Sequence, residues 1–279
     1  MKTVKLAAIS LASLLVSSTA LAQQAGKVDN IGNAGQFVFG VDRVTGLAFN
    51  HITNRQTTTV VLGGGITATD TVQNRDTYTQ VSFLGSSQAP VLSTGFPVPV
   101  LIPRVAFDYL PIDWLTVGGS FMVLHNNGET KSVDTTPGPP ISRGNKLDVS
   151  STELMLEPRV GFAYPFNNIV GIWPRLGFEW YHVSAETTNL ARAPGDDTTR
   201  VRARGDLYQL ALEFMVVLSP FSHVAILVGP FADIGLGGSG RIRTRSTAAD
   251  GAVTDLPSEE QHPLLNSFGL TSSLVAYFP

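Results

Sequence analysis

The sequence predicts an all-β chain folded as an antiparallel, up-and-down transmembrane β-barrel of eight strands. Three observations predict it. Segments of about ten residues alternate apolar and polar side chains with the period of two that a strand imposes. The connections between these segments alternate strictly between short and long. No stretch beyond the N-terminal segment is long and apolar enough to span a bilayer as a helix, which leaves the closed barrel as the structure that satisfies every backbone group in hydrocarbon.

The chain opens with Lys2 and Lys5, an apolar run from Leu6 to Val16, and small residues ending in Ala20-Leu21-Ala22 before Gln23. That order predicts a cleaved secretory signal peptide over residues 1–22, followed by a periplasmic segment at 23–35 and the barrel at 36–279. Composition agrees with export and with lipid. There is no cysteine, which excludes a disulfide framework, a thiolate metal site and a cysteine nucleophile. With 43% apolar and only 15% charged residues, the chain is poor in charge for a water-soluble protein of its length. Its net charge of −3 gives no footprint for a nucleic acid.

The first strand alternates Phe37, Phe39 and Val41 against Val38, Gly40 and Asp42. Arg43 then falls on the lipid phase, which calls for a bulge or a snorkelling side chain. A hairpin follows, with Val105, Phe107 and Tyr109 outward against Arg104 and Asp108. After a turn at 110–113, Leu115, Val117, Phe121 and Val123 face outward. Residues 151–164 set Leu154, Leu156, Val160 and Phe162 against Glu153, Glu157 and Arg159. Beyond a turn at 165–169, Leu176, Phe178 and Trp180 oppose Arg175 and Glu179. The next pair sets Tyr208, Leu210, Leu212, Phe214 and Val216 against Glu213, turns at 219–222, and sets Ile226, Val228 and Ile234 against Asp233. The last strand runs from Phe268 to Phe278.

The four long connections, 51–101, 125–150, 185–204 and 237–264, read as extracellular loops, with both termini on the short-turn, periplasmic side. Thr77–Leu84 also alternates, within the first of them, as a loop hairpin or as part of a further strand pair; the latter would make ten strands. Tyr109, Trp114, Tyr164, Trp173, Phe221 and Phe278 gather near the short turns, as an interfacial aromatic girdle does. Gly63-Gly-Gly65 and Pro137-Gly-Pro-Pro140 read as irregular loop segments.

On these segments, and on a final strand ending in Tyr277-Phe278 with Leu274 and Leu270 before it, the chain resembles the small outer-membrane barrels of the OmpA-transmembrane, OmpX and OmpW type. The resemblance covers residues 36–279 as a pattern and rests on no catalytic motif. It implies insertion by the barrel-insertion machinery through that terminal aromatic, although Pro279 follows Phe278 here.

The inward phase collects Asp42, Arg104, Asp108, Glu153, Glu157, Arg159, Arg175, Glu179, Glu213 and Asp233. An eight-stranded barrel has room for little but side chains, so these residues are expected to fill the lumen as a charge network; a narrow, cation-favouring channel is the alternative. Two arginine ladders, Arg200, Arg202 and Arg204, and Arg241, Arg243 and Arg245, flank one hairpin at its extracellular end. Guanidinium groups suit bidentate contact with phosphate, and the first ladder shares the outward parity of Leu210 and Phe214, so lipopolysaccharide is the expected lipid partner. The leading reading is therefore a non-enzymatic barrel with a structural or surface-interaction role, with no cofactor and no metal. Three others stand beside it: a small-solute channel, a secreted lipocalin-like carrier with its faces reversed, and a rim acyl hydrolase built on His182 and Ser184 with Asp206 to orient the histidine.

Overall fold

The computed structural model of the chain describes residues 31–62, 66–83, 101–133, 144–190, 198–248 and 250–279. The expected signal peptide, most of the segment after it, the run Gly63-Gly-Gly65 and the Pro137–Pro140 stretch lie outside the described residues. In chain order the strands are β1 (Phe37–Leu62), β2 (Ile66–Phe83), β3 (Arg104–Ile112), β4 (Leu115–Val133), β5 (Gly144–Phe162), β6 (Tyr164–Pro165), β7 (Val170–Leu190), β8 (Thr198–Phe221), β9 (Val224–Thr247), β10 (Val253–Asp255) and β11 (Glu259–Phe278).

Antiparallel ladders join β1 to β3, β4, β5, β7, β8, β9 and β11 in turn, and β11 returns to β1 through the register from Phe37↔Phe278 to Thr58↔Glu259. That closes a ring of eight strands, so the ten-strand alternative does not hold. At the short-turn end, β3 and β4 are joined by Asp113-Trp114, and β8 and β9 by Ser222-His223. Trp114 and His223 take φ values of 68° and 67°, the left-handed conformation that lets each strand double back at these irregular tight turns, where the register shifts between Tyr109 and Ile112 and between Leu218 and Phe221. Trp114 is held there by donating its backbone N–H to the Gly32 carbonyl at 2.8 Å and by packing its ring on Tyr164, 5.3 Å away.

At the other end the strands outrun the bilayer. β1 has 26 residues and β8 has 24, where a tilted spanning strand needs about 9 to 11. The stretches read from sequence as long loops are accordingly paired strand for much of their length: β1 and β2 stay in register to Leu62↔Ile66, β4 and β5 to Val133↔Gly144, and β7 and β8 to Asn189↔Thr199. Residues 77–83 of the alternating Thr77–Leu84 segment lie in β2.

The two faces of the wall have opposite chemistry. On β8, Tyr208, Leu212, Phe214, Val216 and Leu218 face outward, between 38% and 49% exposed, while Gln209, Ala211, Glu213, Met215 and Val217 between them are buried. A soluble lipocalin-like carrier would need the reverse, and that reading is overturned: ten of the ten predicted lumen charges are buried, and the apolar rows cover the exterior. This outward apolar belt over a charged interior defines a membrane-spanning barrel.

The lumen is layered rather than uniformly polar. Near the short turns an apolar plug contains Ile31, Leu110, Trp173, Met215, Leu227 and Tyr277. Trp173 is therefore not part of the aromatic girdle; it is fully buried and donates its indole N–H to Thr116 Oγ1 at 3.0 Å. Its parity with Arg175 already places it inside. Above the plug lies the ionic layer, and above that a second apolar cluster in which Leu101 and Ile102, just before β3, pack against Met122, Met155 and Leu207.

Candidate functional site: an ionic lumen and an arginine rim

The ionic layer begins at an irregularity in β1. Asp42, Arg43 and Val44 together lie opposite Ser273 of β11, because the register jumps between Val41↔Leu274 and Thr45↔Ser272. Arg43 takes φ 55° within this bulge, and the extra residues turn both Asp42 and Arg43 into the lumen, 1% and 0% exposed. The sequence parity had put Arg43 outward pending such a bulge.

Each lumen arginine bridges carboxylates from different strands. Arg159 holds Asp108 through two hydrogen bonds, at 3.0 and 2.5 Å, and pairs with Asp42. Arg175 joins Asp42 at 3.1 Å to Glu213 at 2.5 Å. Arg43 grips Asp233 with both terminal nitrogens at 2.7 Å, approaches Glu213 at 3.6 Å, and stacks on the Phe231 ring at 4.5 Å. Arg104 sits between Glu157 and Glu179, 2.9 Å from each, and Ser120 donates to the same Glu157 oxygen at 2.8 Å. The remaining predicted member, Glu153, stands apart and accepts a hydrogen bond from Tyr181 at 2.8 Å.

Glycines on the inward phase make the room. A Cβ on Gly177 would stand 2.7 Å from Glu157 Oε1, and one on Gly161 would stand 2.6 Å from Trp173 Nε1. Charges removed from water this completely persist when they are paired, and the network gives every lumen arginine ion-pair partners across six strands, with Arg175 Nη2, Glu179 Oε2 and Glu213 Oε2 held by ionic contact rather than by hydrogen bonds. Its chemistry is that of a cross-brace.

The second constellation lies on the outer face beyond the apolar belt. The β8/β9 register sets Arg200 opposite Arg245, Arg202 opposite Arg243 and Arg204 opposite Arg241, and all six side chains point outward. Glu186 of β7 accepts from Arg200 and Arg202, Glu260 from Arg241 at 3.0 Å, and Asp255 of β10 from Arg245 at 2.7 Å. Six arginines thus meet three carboxylates. Among the described residues, no carboxylate lies within ion-pair distance of Arg204 or Arg243.

Between the ladders, Arg202, Arg204, Arg241 and Arg243 line a pocket of about 200 Å³, and beside it Arg200, Arg202, Arg243, Arg245 and Asp255 line one of about 390 Å³. The hydrogen bonds from Arg200 and then Arg202 hold the Glu186 carboxyl below the usual glutamate range. The Arg245 hydrogen bond likewise lowers the Asp255 carboxyl, and Asp255 in return raises Arg245.

Below the array, His182 Nδ1 lies 2.9 Å from Asp206 Oδ1, and Trp180 donates its indole N–H to the same oxygen at 3.0 Å. The predicted histidine and carboxylate therefore meet. Ser184 does not join them: it sits across from Arg204 in the ladder, and no hydrogen bond links it to His182. Among the described residues, no group of three or more His, Asp or Glu side chains takes a metal-holding arrangement.

Fold and faces together define a membrane-spanning antiparallel β-barrel with a cross-braced lumen. No known protein family matches the chain, and no curated protein matches it in sequence. The solved structures similar to it include the outer-membrane protease OmpT of Escherichia coli, at 6% identity over 90% of this chain and 99% of that one, with a TM-score of 0.28. Ail, the attachment invasion locus protein of Yersinia pestis, is 12% identical over 81% of this chain and 98% of its own, with a TM-score of 0.27. The Pseudomonas putida toluene transporter TodX is 10% identical over 86% and 89%, with a TM-score of 0.23. Likeness at this level adds nothing to what the closed sheet and its two faces show.

Proposed function

We propose that the chain is a non-conducting outer-membrane barrel whose extended strands carry an arginine array to the cell surface, where it binds the phosphate groups of lipopolysaccharide. The observation that carries this reading is the pocket lined by Arg202, Arg204, Arg241 and Arg243, where, among the described residues, no carboxylate lies within ion-pair distance of Arg204 or Arg243. Like charges on directly opposed strand positions disfavour the sheet; three such pairs in succession are stabilised when an anion lies between them. The location also fits. On β8 the array starts at Arg204, two ladder positions beyond Asp206 and four beyond Tyr208, the last large outward aromatic of the belt. That is the depth at which phosphorylated headgroups meet the hydrocarbon. The ionic layer supports a closed lumen, since its side chains are at most 5% exposed.

The experiment compares the wild-type chain with the quadruple variant Arg202→Ala, Arg204→Ala, Arg241→Ala, Arg243→Ala, reconstituted in vesicles of neutral phospholipid doped with bisphosphorylated lipid A or with its phosphate-free analogue. The wild type is expected to favour the phosphorylated lipid, with a preference that weakens as salt rises, and the variant to lose at least about tenfold of it. Equal affinity of the two proteins for the phosphorylated lipid would contradict the proposal. In planar bilayers, the same account expects no stepwise ionic conductance.

A further inference from the structure

The two pockets of the outer array are built differently, although Arg202 and Arg243 line both. From the belt outward, β8 and β9 present Arg204 opposite Arg241, then Arg202 opposite Arg243, then Arg200 opposite Arg245. The smaller pocket lies between the first two rows and the larger between the second and third. Positions two residues apart along a strand are separated by about 7 Å. The pockets are therefore neighbours at about that spacing, one nearer the hydrocarbon and one farther out.

Arginines alone line the smaller pocket, and the carboxylates that engage two of them, Glu186 on Arg202 and Glu260 on Arg241, stand outside its lining. The larger pocket is closed on one side by the segment that follows β9. β10 pairs with β9 from Val253↔Thr247 to Asp255↔Arg245, and Leu256 donates its backbone N–H to the Thr244 carbonyl at 2.9 Å. That makes Asp255, Leu256 and Ser258 part of the wall. Three of the four arginines there are already engaged. Glu186 accepts from Arg200 and Arg202, and Asp255 accepts from Arg245 twice, at 2.7 and 3.2 Å. Arg243 is left beside a hydroxyl and an apolar side chain, in a space of about 390 Å³ against about 200 Å³ for the smaller pocket.

These walls ask for different groups. A small pocket walled by guanidinium groups suits a compact dianion. The larger one suits a bulkier group with a single negative charge, hydroxyls and an apolar face, which describes a sugar ring bearing a carboxylate. The charges agree: six arginines against Glu186, Glu260 and Asp255 leave three positive charges. A phosphate monoester supplies about −1.5 to −2 and the carboxylate one more.

We infer that the array recognises a phosphorylated sugar joined directly to a carboxylated sugar. The phosphate lies among Arg202, Arg204, Arg241 and Arg243, and the carboxylated ring occupies the larger pocket, with its carboxylate toward Arg243, its hydroxyls toward Ser258 and its apolar face on Leu256. The order along the strands suits a lipid whose phosphorylated sugars lie at the membrane surface with acidic sugars beyond them. This inference rests on the reading that the array binds lipopolysaccharide phosphate, and adds to it the chemistry of the adjoining sugar.

Native mass spectrometry of the full chain in micelles at neutral pH, titrated with four lipids, tests it: bisphosphorylated lipid A, its phosphate-free analogue, lipid A extended by one carboxylated sugar, and the extended lipid with that carboxyl reduced to an alcohol. The wild type is expected to bind the extended lipid about tenfold more tightly than lipid A and to lose that gain on reduction. Equal affinity for lipid A and the extended lipid, with the preference over the phosphate-free analogue retained, would overturn this inference and leave the lipopolysaccharide reading standing. No preference over the phosphate-free analogue would overturn both. Ser258→Trp fills the larger pocket without changing charge. It is expected to keep the heat-modifiable gel migration and to hold lipid A affinity within about twofold, while abolishing the gain from the carboxylated sugar; Ser258→Thr, which keeps the hydroxyl, retains the gain. A gain undiminished in Ser258→Trp would overturn the placement of the second sugar.

Discussion

Ten of the fourteen arginines fall into two groups whose fates are opposite. Arg43, Arg104, Arg159 and Arg175 are at most 4% exposed and each meets at least two carboxylates. Arg200, Arg202, Arg204, Arg241, Arg243 and Arg245 lie on the outer surface and share three carboxylates. The same side chain is structural where water is excluded and available where it is not. In the lumen an unpaired charge is prohibitively costly, so every guanidinium is neutralised by the protein itself. On the rim, solvent screens both attraction and repulsion, and an excess of positive charge persists for a ligand to use.

The largest expected effect separates the groups most sharply. Arg159→Met leaves Asp42 and Asp108 buried without their shared partner and costs about 3–5 kcal/mol in urea unfolding from micelles, whereas Arg204→Met changes unfolding by less than about 0.5 kcal/mol. Comparable losses would erase the distinction. A double substitution sharpens it. Arg43→Met alone strands Asp233, but Arg43→Met with Asp233→Leu replaces a buried pair with apolar groups and recovers most of the loss, by about 2 kcal/mol or more; a double variant no more stable than the single one would mean that the pair is not the unit. Gly177→Ala forces a methyl against the Glu157 carboxylate and costs about 1–3 kcal/mol by the same unfolding measurement.

The smallest effect is on the rim and depends on pH. Glu186 is held below its ordinary value by Arg200 and Arg202, so its contribution to stability is present above the unfolded-state pKa and is lost as pH falls through the lowered folded value. Acidification therefore releases two arginines. Binding of phosphorylated lipid is expected to strengthen on the acid side in the wild type, and Glu186→Gln, which releases them at every pH, is expected to remove that acid-side gain. Vesicle flotation across the acid range measures both.

How much of this was legible beforehand follows from what period-two alternation encodes. It placed the apolar rows outward and all ten lumen charges inward, because each depends on parity along one strand. It also held the answer for Trp173, whose parity with Arg175 is inward; nearness to a short turn suggested the girdle instead. Arg43 shows the limit. Its parity is outward, and only the bulge between Val41 and Thr45 reverses it; the excess of seven predicted lumen carboxylates over three arginines was the signal that another cation belonged inside. That β1 pairs with β3 from Phe37 to Asp42 and with β2 from Thr45 upward depends on pairing between distant segments, which alternation does not record. Likewise, the pairing of Arg204 with Arg241 needed the β8/β9 register.

The central claim is that odd and even positions of one strand face different media. The chain has no cysteine, so single cysteines placed one at a time from Leu207 to Leu218 and spin-labelled in lipid vesicles give an unambiguous scan of β8. Accessibility to lipid-dissolved oxygen should peak at even positions, including Leu210, Leu212, Phe214 and Val216, and drop at Gln209, Ala211, Glu213 and Met215. The opposite parity, or no alternation, would contradict the barrel as described.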